Sequence, residues 1–134
     1  YGHAKVSKEM QKNWHKLMTC FFEYLSKHIC ILNIQDARHP DQASDQEFHK
    51  YMRNFDNETF LVLNKSDKLK KQKERAALKK IIPAILKEYS WVKKFFITSA
   101  IKGDSIPKVN DAIVEFLLNK AEQSEGFEGT KIKG

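Results

Sequence analysis

Two short segments, Asn64-Lys65-Ser66-Asp67 and Ser99-Ala100-Ile101-Lys102, carry the residue types needed to read a planar base and cover its faces. A carboxylate placed just beyond a buried strand accepts two parallel hydrogen bonds. Guanine offers that pair from its N1–H and its exocyclic amino group, and adenine does not. Asp67 would therefore discriminate guanine from adenine through a charge-assisted bidentate contact. Leaving the carboxylate unpaired against the wrong base costs roughly 1–3 kcal/mol, which is how polar sites reject analogues. The alkyl stem of Lys65 would lie flat on the base with its charge in solvent. Asn64 would bond the base edge and tie neighbouring loops together. In the second segment the Ala100 backbone N–H would donate to guanine O6, and Lys102 would cover the face opposite Lys65. Either tetrapeptide alone reads equally as a solvated turn; the two together, each after an apolar run and in this order, carry the signal. The base-binding set is thus Asn64, Lys65, Asp67, Ser99, Ala100 and Lys102.

These segments need strands to hold them. Met10, Trp14, Leu17, Phe21 and Leu25 recur every three or four residues, predicting a helix from about Ser7 to His28 with this stripe in the core. The apolar run Ile29 to Ile34 predicts a strand buried on both faces, ending at Pro40. A short helix from Gln42 to Asn54 would turn Phe48, Tyr51 and Met52 inward. Thr59 to Leu63 reads as a second strand. A basic helix from about Lys70 to Glu88 follows, with Leu78, Ile81, Ile82, Ile85 and Leu86 apolar and Pro83 predicting a kink or two abutting pieces. Lys94 to Thr98 reads as a third strand. A last helix, capped by Asp104 or Ser105, would bury Ile106, Val109, Ile113, Phe116 and Leu117. Residues 121–134 read as a flexible polar tail after a unit covering residues 1–120. Strand and helix in alternation imply βαβ units and a parallel sheet covered on both faces. Ligands of such sheets bind beyond the carboxyl ends of the strands, and all three strands end in polar clusters.

The chain has 134 residues and is 41% hydrophobic, enough for a core and against a disordered tail. No apolar stretch reaches the 18 residues of a membrane span. Cys20 and Cys30 are read as two buried, reduced thiols of a cytosolic protein, and the five histidines show no metal-ligand spacing. The net charge of +7 favours an anionic partner such as a nucleotide or RNA, and equally serves solubility. Lys68, Lys70, Lys71, Lys73, Arg75, Lys79 and Lys80 would either touch RNA phosphates or form a solvated face. Arg38 beside Asp36 reads as a structural ion pair.

The two base motifs, Asp36-Ala37-Arg38-His39-Pro40 and the opening Tyr1-Gly2-His3-Ala4-Lys5-Val6 together resemble the EngB/YihA family of P-loop GTP-binding proteins, of the translation-factor class. The likeness extends to about Lys120. It implies a three-layer α/β G domain with a mostly parallel sheet, of which only the carboxyl-terminal βα units are present. It also implies GTP and GDP binding with magnesium, slow hydrolysis in the complete protein, a cytoplasmic place and a part in assembling the large ribosomal subunit, with ribosomal RNA as a partner. Cell division belongs to the same set of implications.

The departures from the family pattern bear on catalysis. The glycines, Gly2, Gly103, Gly126, Gly129 and Gly134, nowhere form G-x-x-x-x-G-K-S/T. The phosphate cradle, its lysine and its magnesium-binding hydroxyl are not in this sequence, and no metal ligands or catalytic residues are assigned. The expectation is that this chain by itself does not hold the γ-phosphate. Tyr1, where many G proteins place a water-orienting glutamine, implies slow intrinsic hydrolysis. A sheet lacking neighbours would expose an apolar edge, predicting instability, dimerisation or strand exchange. The alternative function is a basic RNA- or ribosome-binding α/β module without nucleotide.

Overall fold

The computed structural model describes residues 7–133; the opening segment Tyr1 to Val6 lies outside the described residues. Helix α1 (Lys8–Leu25) passes through a 3-10 turn (Ser26–His28) into β1 (Cys30–Asp36). Then come α2 (Ala43–Met52), β2 (Glu58–Asn64), a 3-10 turn (Ser66–Lys68), α3 (Gln72–Glu88), β3 (Val92–Ile97) and α4 (Ile106–Lys133). The three strands form a parallel sheet in the order β1-β2-β3. The expected α/β alternation and parallel pairing are therefore observed.

β2 lies between two neighbours, and its residues Thr59 to Leu63 are buried without a break. Leu61 and Leu63 pack with Leu78, Ile82 and Ile85 of α3 and with Tyr89. Phe60 packs on the other face with Ala112 and Phe116 of α4. The alternation of a strand thus feeds two cores at once. Helix starts are secured locally. The Gln42 N–H donates to Asp45 Oδ2 at 2.9 Å, and the Lys71 N–H donates to Glu74 Oε2 at 3.3 Å. Each carboxylate thereby occupies a helix amino end, where backbone donors lack partners. Pro83 sits inside α3, which is nonetheless one helix from Gln72 to Glu88 and not two pieces.

Several expectations are corrected. The α1 stripe is not core: Trp14 is 63% and Leu17 68% exposed, and Met10 and Phe21 are exposed as well. The helix instead meets α2 through the adjacent stripe His15, Thr19 and Phe22. Thr19 Oγ1 lies 2.9 Å from the Tyr51 hydroxyl, and Phe22 packs against Tyr51 and Phe55. β1 is not buried on both faces. It pairs with β2 alone among the described residues, Ile34 is 63% exposed, and the polar Asn33 and Gln35 are the buried ones. Cys20 is exposed and not buried. Cys30 is half-buried, and burial raises its thiol pKa to about 11. On α4, Ala112 takes a buried place and Leu117 is 59% exposed. α4 also continues to Lys133, through the segment read as a polar tail.

His49, missed in the sequence, is the most buried titratable side chain of α2. It stacks on Tyr89 with ring centroids 4.2 Å apart, and its Nε2 lies 3.3 Å from Asn33 Nδ2. Burial holds its pKa below the ordinary value near 6.5, against the opposing charges of Asp45 and Glu88. A depressed pKa in the folded state means that the unfolded chain takes up the proton first. The contribution of His49 to stability is then complete above about pH 6.5 and is lost as the pH falls through the folded pKa. Stability should decline below about pH 6.5 by at most ~1.4 kcal/mol per pH unit from this one group. Urea unfolding of His49→Gln at several pH values should show that slope flattened; an unchanged slope would assign it to other groups.

Candidate nucleotide-base site

The carboxyl edge of the sheet is held together by backbone bonds between neighbouring strand ends. The Ala37 N–H donates to the Asn64 carbonyl at 2.7 Å, the Thr98 N–H to Leu63 at 2.8 Å and the Ser66 N–H to Thr98 at 3.0 Å. This parallel register puts Asp36 beside Asn64 and Leu63 beside Ile97. All three polar clusters therefore open on one edge, the place where open α/β sheets bind ligands.

Side chains then lock the second loop to the third. Asn64 Oδ1 accepts from Thr98 Oγ1 at 3.0 Å and from the Ala100 N–H at 3.1 Å. Asp67 Oδ1 accepts from the buried Ser99 hydroxyl at 2.9 Å, and Ser99 Oγ accepts from the Lys102 N–H at 3.1 Å. The Ser99 hydroxyl is the main cause that holds the Asp67 carboxyl below its ordinary pKa, with Lys68 and Lys102 acting in the same direction. A hydrogen bond to the charged form favours it, so Asp67 is an acceptor at neutral pH. The loop after β3 closes on itself through an antiparallel bridge between Ser99 and Asp104. Gly103, at φ +77°, makes the left-handed turn this closure needs, with its N–H donating to Ser99 at 2.7 Å.

Lys65 also adopts a left-handed backbone, at φ 66° and ψ 32°. For a residue with a Cβ this conformation is strained, and such strain gathers at ligand sites. Its Nζ lies 3.8 Å from Asp36 Oδ2. Asp36 is itself clamped by Arg38: the guanidinium donates to both carboxylate oxygens at 3.0 and 2.7 Å, and the Arg38 backbone N–H adds a third bond at 2.9 Å. Those bonds, foremost the side-chain pair, keep the Asp36 carboxyl far below the usual carboxylate range. A cavity of about 610 Å³ adjoins the loops, with Ser66, Asp67, Arg75, Lys102 and Asp104 among its walls.

The structure thus brings Asn64, Lys65, Asp67, Ser99, Ala100 and Lys102 to one edge. Two placements differ in detail from the sequence reading. The Ala100 N–H is engaged by Asn64, so donation to a base oxygen would share that bond with Asn64 or replace it. Thr98, absent from the expected set, is buried and holds the Asn64 side chain. The only signal for it was a hydroxyl ending an apolar strand. Asp36 and Arg38, expected as a structural pair, do pair, and Asp36 also reaches Lys65. Among the described residues no group of three metal-ligating side chains is present, and no helix is long and apolar enough to cross a membrane.

No family profile matches the chain. Its fold is that of the GTP-binding G domains. A crystal structure of a probable GTP-binding protein EngB superposes with a TM-score of 0.62 at 21% identity, covering 89% of this chain and 74% of that one. A variant of Aquifex aeolicus Era, bound to GDP and aluminium fluoride, gives 0.57 at 23% identity, covering 84% and 36%. Curated sequences narrow the class. The probable GTP-binding protein EngB of Desulfitobacterium hafniense is 31% identical over 125 residues, which is 92% of this chain and 61% of that protein. The one from Prosthecochloris aestuarii is 33% identical over 120 residues, 89% and 58%. The chain is EngB-like and of partial length, spanning about three fifths of these curated relatives.

Proposed function

We propose that this chain is the base-reading part of a guanine-nucleotide-binding protein of the EngB type, taking GTP and GDP. The observation that carries the reading is the double tie between the loops: Ser99 to Asp67, and Thr98 with Ala100 to Asn64. It leaves a partly exposed carboxylate, ionised and already oriented by Ser99. One ionised acceptor pair facing two parallel donors fits guanine and rejects adenine. Lys65 and Lys102 flank that edge on separate loops, and their alkyl stems suit the two faces of a ring. Magnesium is implied by the family for a complete domain, and none of the residues assigned here holds it. Slow hydrolysis, a cytoplasmic place and a role in assembling the large ribosomal subunit follow from the same likeness. The exposed α1 stripe and β1 edge support self-association of the isolated chain. The test is competition for a labelled guanine nucleotide in the protein at its natural full length: GDP should displace it and ADP should not. Equal displacement by both would sink the guanine reading.

A second reading, RNA binding, rests on α3 and its approach. Lys68, Lys70, Lys71, Lys73, Lys79 and Lys80 take part in no ion pair among the described residues, and Arg75 is tied to the Leu69 and Lys70 carbonyls. Exposed cations at this density suit a phosphate backbone. Changing Lys70, Lys73, Lys79 and Lys80 together to glutamine should weaken RNA binding. The slope of log K against log salt should flatten by about 0.7 for each single-strand phosphate that the variant no longer neutralises. An unchanged slope removes this face from consideration.

A further inference from the structure

We propose that Asp36 is a positioning residue for the base site: its carboxylate, fixed by Arg38, holds the Lys65 side chain across the carboxyl edge of the sheet, where the stem covers the base. This inference rests on the guanine reading and extends the site to a third loop, the one after β1.

The geometry has three parts. Asp36 pairs with Asn64 in the β1–β2 register, and the Ala37 N–H donates to the Asn64 carbonyl at 2.7 Å. The backbone of Asp36 is therefore at a set distance from that of Lys65. Arg38 then fixes the Asp36 side chain through three hydrogen bonds of 2.7–3.0 Å. A carboxylate bound in this way is a stationary charge and not a roaming one. Finally, Lys65 leaves β2 in a left-handed conformation and places its Nζ 3.8 Å from Asp36 Oδ2.

Nothing else among the described residues pairs with the Lys65 ammonium. Its stem has four rotatable carbons and is about half exposed, so without a partner it would sample many rotamers in water. Asp36 narrows that sampling to conformations that run along the sheet edge, between the loop after β1 and the loop after β2. A stem already restricted there loses less freedom when a base arrives. Arg38 alone would serve a structural role; the reach of Asp36 to a second cation, on the base-binding loop, is what a purely structural pair does not need.

An exposed pair of this kind is weak, so the effect is modest. The test measures GDP and inosine diphosphate affinities in the full-length protein for Asp36→Asn, Lys65→Met and the double variant. Inosine lacks the exocyclic amino group, so the ratio of the two affinities reads Asp67 and not Lys65. Asp36→Asn should weaken both nucleotides equally, by about two- to fivefold. In the Lys65→Met background, which keeps most of the stem and removes the charge, Asp36→Asn should change nothing. Asp36→Glu, which restores a carboxylate, should recover part of the loss. An equal loss in both backgrounds, a shifted GDP to inosine diphosphate ratio, or no loss at all would overturn the inference while leaving guanine binding intact. Failure of the unsubstituted protein to bind GDP would overturn the guanine reading and this inference with it.

Discussion

Replacing Asp67 by alanine should erase the preference for GDP over ADP, weakening GDP by roughly a hundredfold and leaving ADP nearly unchanged. The magnitude follows from what is lost: two hydrogen bonds to an ionised acceptor, together about 3 kcal/mol, with about 1.4 kcal/mol per tenfold. The direction follows from the site. Asp67 is oriented by Ser99, so the carboxylate is in place before a base arrives. The substitution also removes the acceptor of a fully buried hydroxyl. That hydroxyl still accepts from the Lys102 N–H, so the cost to folding should be about 1 kcal/mol, well below the cost to binding. Competitive displacement with both nucleotides, alongside urea unfolding, separates the two. If Asp67→Ala lowers GDP and ADP affinity by the same factor, the carboxylate is not the base reader.

Leu63→Ala should damage the fold severely. Leu63 has no exposed surface and lies in the central strand, packed in the α3-side core beside Leu61, Leu78, Ile82 and Tyr89. Truncating such a side chain removes its transfer free energy and leaves a cavity, for a loss of about 3 kcal/mol. The same truncation at Leu117, which is 59% exposed on α4, should cost less than about 1 kcal/mol. Urea unfolding of both variants measures the difference. Comparable losses would mean that α4 presents another face to the sheet.

The sequence alone determined the elements and their order. Apolar runs punctuated by polar clusters marked three strands, and helical spacing between them required parallel pairing. Parallel pairing in turn required that Asp36, Asn64 and Ser99 open on the same edge. The residues named for the candidate base site could be named because their types and their positions after strands are local properties. What covers each face was not. A period of 3.6 identifies a stripe on α1, but Met10, Trp14, Leu17 and Phe21 proved exposed while the neighbouring stripe with Phe22 met α2. An apolar run identifies β1, but its burial depends on how many neighbours the strand has and which helix lies against it. The result there is inverted, with Asn33 and Gln35 inside and Ile34 outside. Likewise, the bonds that shape the site join residues 32 to 36 positions apart: Ser99 to Asp67, Thr98 and Ala100 to Asn64. Such partners are set by strand register and crossover path, which bring distant residues to within about 3 Å of one another. The sequence therefore determined which groups could do the chemistry, and only the tertiary structure decided which of them hold one another in place to do it.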